Sequence, residues 1–190
     1  MEKIYIEDKK FEKTDFTENN LAEGEYENCV FLNCNFANTN LSNISFIECE
    51  FTDCNLSMAK LNKTAFRDVK FKDCKMLGLH FEYCNEFLLS FEFENCTINL
   101  SSFYKRKIQK TKFKNCTLHE IDFVETDLSN SVFDNCDLSG AIFENTILEK
   151  ADFRSAFNYS IDPDKNRIKK AKFSLSGIAG LLNKYDIEID

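Results

Sequence analysis

The sequence has no tryptophan, one proline and five glycines, and only two histidines among 190 residues. So little proline and glycine leaves scant room for flexible linkers, and the expectation is one domain over residues 1–190. No apolar run is long enough to span a bilayer, and Met1-Glu2-Lys3 starts no signal-peptide pattern. The expectation is therefore a cytoplasmic protein with no membrane attachment. A Ser-His-acid set, a metal-ligand spacing and a glycine-rich phosphate loop are also missing, which excludes the common catalytic classes and predicts no cofactor. Basic residues are in deficit: Lys+Arg 24 against Asp+Glu 32 gives a formal net charge of −8, so direct nucleic-acid binding is not expected.

What the sequence has in quantity is phenylalanine, and it is periodic. Phe11, Phe31, Phe51 and Phe71 stand twenty residues apart, and Phe93, Phe113, Phe133, Phe153 and Phe173 resume the count. Cys34, Cys54, Cys74, Cys96, Cys116 and Cys136 form a second column with the same single slip of two residues. A shared slip means two extra residues in one turn of a periodic object. Within each twenty, a bulky apolar residue recurs every five, as in Phe31, Phe36, Leu41, Phe46 and Phe51; beyond the slip the frame runs Leu88, Phe93, Ile98 and Phe103. Two residues before each stands a smaller one, and side chains two apart on an extended chain point the same way. The next inward residue is three further on, which demands a bend. Each unit of five is a short side plus a corner, and four sides close one coil. Stacked coils then pair as parallel strands about 4.8 Å apart, giving a solenoid of roughly seven to eight coils.

This pattern resembles the pentapeptide repeat family, carried best by Thr126-Asp127-Leu128-Ser129-Asn130 and Ala151-Asp152-Phe153-Arg154-Ser155. The resemblance covers about residues 9–157 and implies an all-β fold, a right-handed quadrilateral parallel β-helix.

The nine cysteines read as core filler rather than metal ligands, because eight fall at the inward small position. The column Asn33, Asp53, Asp73, Asn95, Asn115 and Asn135 falls at a corner, where such side chains tolerate turn geometry and can bond along the stack. Ile4 and Ile6 predict a first strand that covers the lower end of the core, with Ile6 in frame with Tyr26.

The insertion at 82–92 must bulge from one side. In the regular frame Glu86 and Arg106 would both point inward, so the two pair or are displaced; the reading adopted displaces Glu86 and turns Cys84 or Phe87 inward. Residues 104–114 are the basic concentration: residues 61–115 carry 6 acids and 11 bases, against 12 and 5 in residues 1–60 and 14 and 8 in residues 116–190. His80 and His119 are predicted to point outward on different sides. Residues 158–173 read as a degenerate last coil with Phe173 continuing the stack. Residues 174–186 read as a helix capped by Ser176, with Ile178, Leu181, Leu182 and Tyr185 along one face, followed by a strand at Ile187-Glu188-Ile189. The helix face is predicted to form a homodimer interface.

A narrower resemblance lies in the tail. Ile161-Asp162-Pro163, Asn166-Arg167-Ile168 and Gly180-Leu181-Leu182 look like the closing segment of pentapeptide proteins that confer immunity to a gyrase-targeting microcin. The C-terminal end is similar to the dimerising end of the quinolone-resistance (Qnr-type) branch. The resemblance implies a non-enzymatic rod, acidic and DNA-mimicking, that binds DNA gyrase or topoisomerase IV and protects it from quinolones or toxins. Glu120, Asp122, Glu125 and Asp127 are the expected contacts, with Tyr83 and Phe87 of the bulge setting position. The alternative is a generic interaction scaffold with no topoisomerase role.

Overall fold

Apolar spacing of five obliges the chain to turn after each inward pair, and one backbone conformation makes most of the turns. The computed structural model describes residues 4–188. Two residues after most inward centres the backbone enters the left-handed region: Asn33, Asn38, Asn43, Glu48 and Asp53 have φ between 52° and 63°. An L-residue there costs roughly 1–2 kcal/mol, least for Asn and Asp. The cost is offset because the turn lets each side bond to the coils above and below, as in Phe36 N to Asn55 O at 2.7 Å and Asn35 N to Thr14 O at 2.9 Å.

The strands are β1 (Ile4–Glu7), β2 (Lys10–Glu12), β3 (Gly24–Glu27), β4 (Val30–Leu32), β5 (Ser45–Ile47), β6 (Glu50–Thr52), β7 (Ala65–Arg67), β8 (Val69–Lys72), β9 (Phe91–Glu94), β10 (Lys112–Lys114), β11 (Val132–Asp134), β12 (Asp152–Phe153) and β13 (Lys172–Phe173). They form two parallel sheets: a nine-stranded one, β13-β12-β11-β10-β9-β8-β6-β4-β2, and a four-stranded one, β1-β3-β5-β7. The nine-stranded sheet is the first side of the solenoid, and its nine strands mark eight coils. The second and third sides are ladders of single parallel bridges, such as Asn35↔Asn55 and Ser102↔Asp122. The fourth side is the four-stranded sheet, continued beyond residue 90 by the bridges Lys107↔Asp127 and Ile147↔Arg167.

Register follows the repeat. Phe31 pairs with Phe11 and Phe51, and Phe113 with Phe93 and Phe133. Their rings stack down the core at centroid separations from 4.6 Å (Phe31–Phe51) to 5.5 Å (Phe153–Phe173). On the third side Phe81, Phe103, Phe123 and Phe143 make a second stack, and the two stacks meet edge to face. Phe173 continues the stack, and Ile6 lies opposite Tyr26, as the frame predicts.

The small inward position has a second task. Its hydroxyl or thiol donates to a carbonyl of the coil below: Thr64 Oγ1 to Leu41 O, Thr126 Oγ1 to Phe103 O and Thr146 Oγ1 to Phe123 O, all at 2.8 Å. Cys54 Sγ reaches Phe31 O and Cys74 Sγ reaches Phe51 O, both at 3.3 Å. All nine cysteines are buried and unbridged.

Two segments depart from the frame. At the insertion, Leu88 does not serve as a core centre: it is exposed, with φ 56°, because it makes the turn of the bulge. Leu89 is buried in its place, and Phe91 fills the space left between coils, its ring touching those of Phe66, Phe81, Phe93 and Phe103. Of the two residues expected inward, Cys84 is buried and Phe87 is exposed. A large ring had no vacancy once Phe91 was in place.

At the C-terminus the short helix is 3-10 rather than α, in two turns, Ile178–Leu181 and Asn183–Tyr185. Gly177 is its N-cap residue, and the hydroxyl that meets the Gly177 amide belongs to Ser174, at 3.0 Å, instead of Ser176. Close docking explains the tighter winding, since Gly180 lies on Tyr159 and its carbonyl accepts from Ile161 N. Residues 187–188 form no strand, and Ile189 lies outside the described residues.

Candidate functional site

Stacked rings and small side chains fill the solenoid, so chemistry is confined to its outer faces. The concavities are surface grooves. One of about 470 Å³ runs between the last coil and the C-terminal turns, beside Tyr159, Ser174 and Asn183. Another of about 390 Å³ lies at the corner between the fourth and first sides, beside Asp68, Ser90 and Lys110. Among the described residues no His, Cys, Asp or Glu side chains converge as a metal site, and no helix is long and apolar enough to cross a membrane. His80 faces out on the third side against Glu82, and His119 lies on the second side 2.9 Å from Asp137. They share no site.

The four carboxylates expected as contacts do lie on adjoining corners and sides of one coil. Glu120 and Glu125 occupy left-handed corners, φ 52° and 55°, and are exposed. Asp122 and Asp127 are half-buried and already employed: Asp122 Oδ1 accepts from Val124 N at 2.8 Å and Asp127 Oδ1 from Ser129 N at 3.0 Å. Nearly every Asn or Asp preceding an inward centre closes this turn, including Asn35, Asn55 and Asp152. Glu125 is partly neutralised by Lys105 at 3.6 Å and accepts from Tyr104 OH at 3.3 Å.

The bulge presents Tyr83, Phe87 and Leu88 to solvent, each more than half exposed. Arg67 lies over the Phe87 ring, its Cζ 5.5 Å from the centroid. Glu86 is displaced outward and still pairs with Arg106 at 3.5 Å, whose side chain is mostly buried under the bulge. The displaced acid thus partly compensates an inward-pointing cation, whose buried Nε has no hydrogen-bond partner among the described residues. Burial pushes the Cys84 thiol above its ordinary range, the charge of Arg106 opposing it.

At the C-terminal end Ile178 and Tyr185 are exposed, while Leu181 and Leu182 are half-buried and Leu181 packs on the core. Leu175, which the helical spacing does not mark, and Ile187, expected in a terminal strand, add to the exposed apolar area. The basic middle is largely compensated: Lys112 pairs with Glu92 at 2.8 Å and Lys114 with Glu94 at 2.7 Å across one coil step.

Two family models agree with this geometry. The pentapeptide repeat region model matches residues 44–123, and the model of eight pentapeptide copies matches 111–149 and 121–157, so together they span more than half the chain. No curated protein matches. Among solved structures, full-length QnrB1, a plasmid-mediated fluoroquinolone resistance protein, shares 19% identity over 96% of this chain and 100% of its own, with a TM-score of 0.48. HetL, a pentapeptide repeat protein involved in heterocyst differentiation regulation from the cyanobacterium Nostoc sp. strain PCC 7120, shares 14% over 89% and 86%, with a TM-score of 0.34. Repeat, corner and ladder agree with the family models, and the chain belongs to the pentapeptide repeat family, with its right-handed quadrilateral β-helix.

Proposed function

We propose that this chain is a non-enzymatic protein-interaction rod that binds a type II topoisomerase, DNA gyrase or topoisomerase IV, as a partial DNA mimic and protects it from quinolones or toxins. The observation that supports this best is the pairing of a filled core with carboxylates held on rigid corners. Glu120 and Glu125 are fixed by the coil backbone instead of by flexible loops, and a partner evolved for the phosphates of a stiff duplex meets a comparably stiff array. The tail motif Ile161-Asp162-Pro163 supports the same reading: the Asp162 carboxylate binds Lys184 at 2.7 Å, tying the last coil to the C-terminal turns.

The working form is a cytoplasmic homodimer joined through Ile178, Leu181, Leu182 and Tyr185, since symmetric pairing of one apolar patch is the commonest route to an oligomer. Glu120, Asp122, Glu125 and Asp127 carry the contact, and Tyr83 and Phe87 set its position along the rod. The rival reading, a scaffold without a topoisomerase partner, is favoured by the internal pairing of charges on the first side.

A supercoiling assay with gyrase of the source organism and a quinolone separates the two. Protection by the wild-type chain is expected, with its loss in the variant Glu120→Gln, Asp122→Asn, Glu125→Gln, Asp127→Asn. Asparagine can still accept from the amide two residues on, so the turns survive and only charge is removed. No protection at micromolar protein leaves the scaffold reading.

A further inference from the structure

The fourth side is electrically polar along the rod, and the bulge stands at its centre. Counted upward, its rows are 4–8, 24–28, 44–48, 64–68, the bulge, 106–110, 126–130, 146–150 and 166–170. The bulge is the fifth of nine. The first three rows hold five acids, Glu7, Asp8, Glu25, Glu27 and Glu48, and no base. The last four hold seven bases against two acids, with Arg167, Lys169 and Lys170 at the far end. Glu7, Glu48, Lys169 and Lys170 are exposed, and none enters an ion pair among the described residues.

We infer that this side is a self-complementary docking surface for a second copy of the chain, running antiparallel, with the two-fold axis through the bulge. Parallel side-by-side packing would set acid on acid and base on base. A two-fold at the bulge sets the row of Glu7 and Asp8 opposite that of Lys169, Lys170 and Arg167, of which Arg167 already pairs with Glu149 at 2.6 Å, at both ends at once. The distance from bulge to end row is four coil steps, about 19 Å. At the axis Phe87 and Leu88 of one copy meet those of the other, which gives the exposed apolar cluster a place: an apolar centre with a charged rim is the usual anatomy of an interface. Lys107 and Lys110 face the row of Arg67 and Asp68, and the row of Glu48 faces that of Asp127, whose carboxylate already accepts from Gln109 and Ser129, so the charge match lies in the outer rows. A net charge of −8 on each copy opposes association in general, so the local match must act at short range and low salt. The surface is separate from the C-terminal patch; it shares Asp127 and Phe87 with the proposed topoisomerase contact, but it does not depend on that reading.

The test uses the full chain with Ile178→Asp and Tyr185→Asp, which removes the C-terminal contact while leaving Leu181 on the core. Sedimentation is measured at 20 mM and 500 mM salt. Dimer is expected at low salt, with dissociation at high salt. One variant carries Glu7→Lys, Asp8→Lys and Glu25→Lys, and a second carries Arg167→Glu, Lys169→Glu and Lys170→Glu. Each alone is expected to lose tenfold or more in affinity, and an equimolar mixture to form a heterodimer, because the reversed faces match each other. Circular dichroism and melting on the same samples show that each variant is folded. Phe87→Ser with Leu88→Ser is expected to weaken the dimer at 20 mM salt, and an unchanged affinity there counts against the axis at the bulge. A monomer at 20 mM, a dimer indifferent to the charge reversals, or a mixture that stays monomeric each overturns the inference.

Discussion

A single residue in this fold answers to two neighbours, one coil up and one coil down. Asn115 shows it: its backbone holds φ 53°, its side-chain Nδ2 donates to Asn95 Oδ1 at 3.0 Å, and its side-chain Oδ1 accepts from Asn135 Nδ2 at 3.0 Å. Asn115→Val loses both bonds and places a β-branched residue in the left-handed region, which predicts a loss of about 2–3 kcal/mol in chemical denaturation, with Asn115→Gly milder. The corner role of this column was legible because Asn and Asp announce it. That Glu48, Met58, Lys63 and Leu100 take the same conformation was not legible. Their intrinsic preference is against it, and the ladder of coil-to-coil bonds overrides a cost of about 1–2 kcal/mol each. Asp137 gives a pH signature. Partial burial would raise its pKa, but the Ser139 hydroxyl, the Asn158 amide and His119 outweigh that and hold it at about 2. The contribution is therefore complete above the unfolded value near 4 and is lost as pH falls toward 2. Melting temperature followed from pH 5 to pH 2 should fall less steeply in Asp137→Asn than in the wild type; identical slopes would show that the hydrogen bonds carry no net stability.

Among the elements, the bulge offers the sharpest contrast. Phe87 and Phe91 are four residues apart in one insertion, one outside and one buried against four rings. Phe91→Ala should cost about 3–5 kcal/mol in unfolding, and Phe87→Ser should stay within about 0.5 kcal/mol. Equal costs would place both rings in the core. Periodicity located the insertion and the displacement of Glu86, yet it could not choose between Cys84 and Phe87 as the residue turned inward, nor show that Phe91 fills the core there. That choice depends on which vacancy lies between coils, which is a three-dimensional quantity. The C-terminal turns repeat the lesson. The spacing of Ile178, Leu181 and Tyr185 reads as an α-helix, but contact of Gly177 and Gly180 with Tyr159 holds the segment close enough to wind it as 3-10 turns. Ile178→Asp with Tyr185→Asp is expected to abolish the C-terminal dimer in light scattering at physiological salt without lowering the melting temperature. An unchanged mass there would remove these residues from the interface.

For the whole molecule, architecture was almost fully written in the sequence, because every coil repeats the same instruction and errors of one unit are corrected by its neighbours. Function was not, since it resides in what differs between coils: the acidic lower rows of the fourth side, the compensated middle, the bulge and the C-terminal patch. A solenoid has no conformational reserve of hinges or lids, so its partner must accept the surface as it stands. If that partner is gyrase approached as a duplex is, the chain and DNA occupy the same basic surface. The most direct measurement is competition: labelled chain bound to gyrase, titrated with linear duplex DNA, at two ionic strengths. The account predicts displacement by DNA, weaker binding at the higher salt, and little binding by the variant with Glu120, Asp122, Glu125 and Asp127 neutralised. Binding that DNA leaves untouched, or no binding at micromolar concentrations, would contradict it.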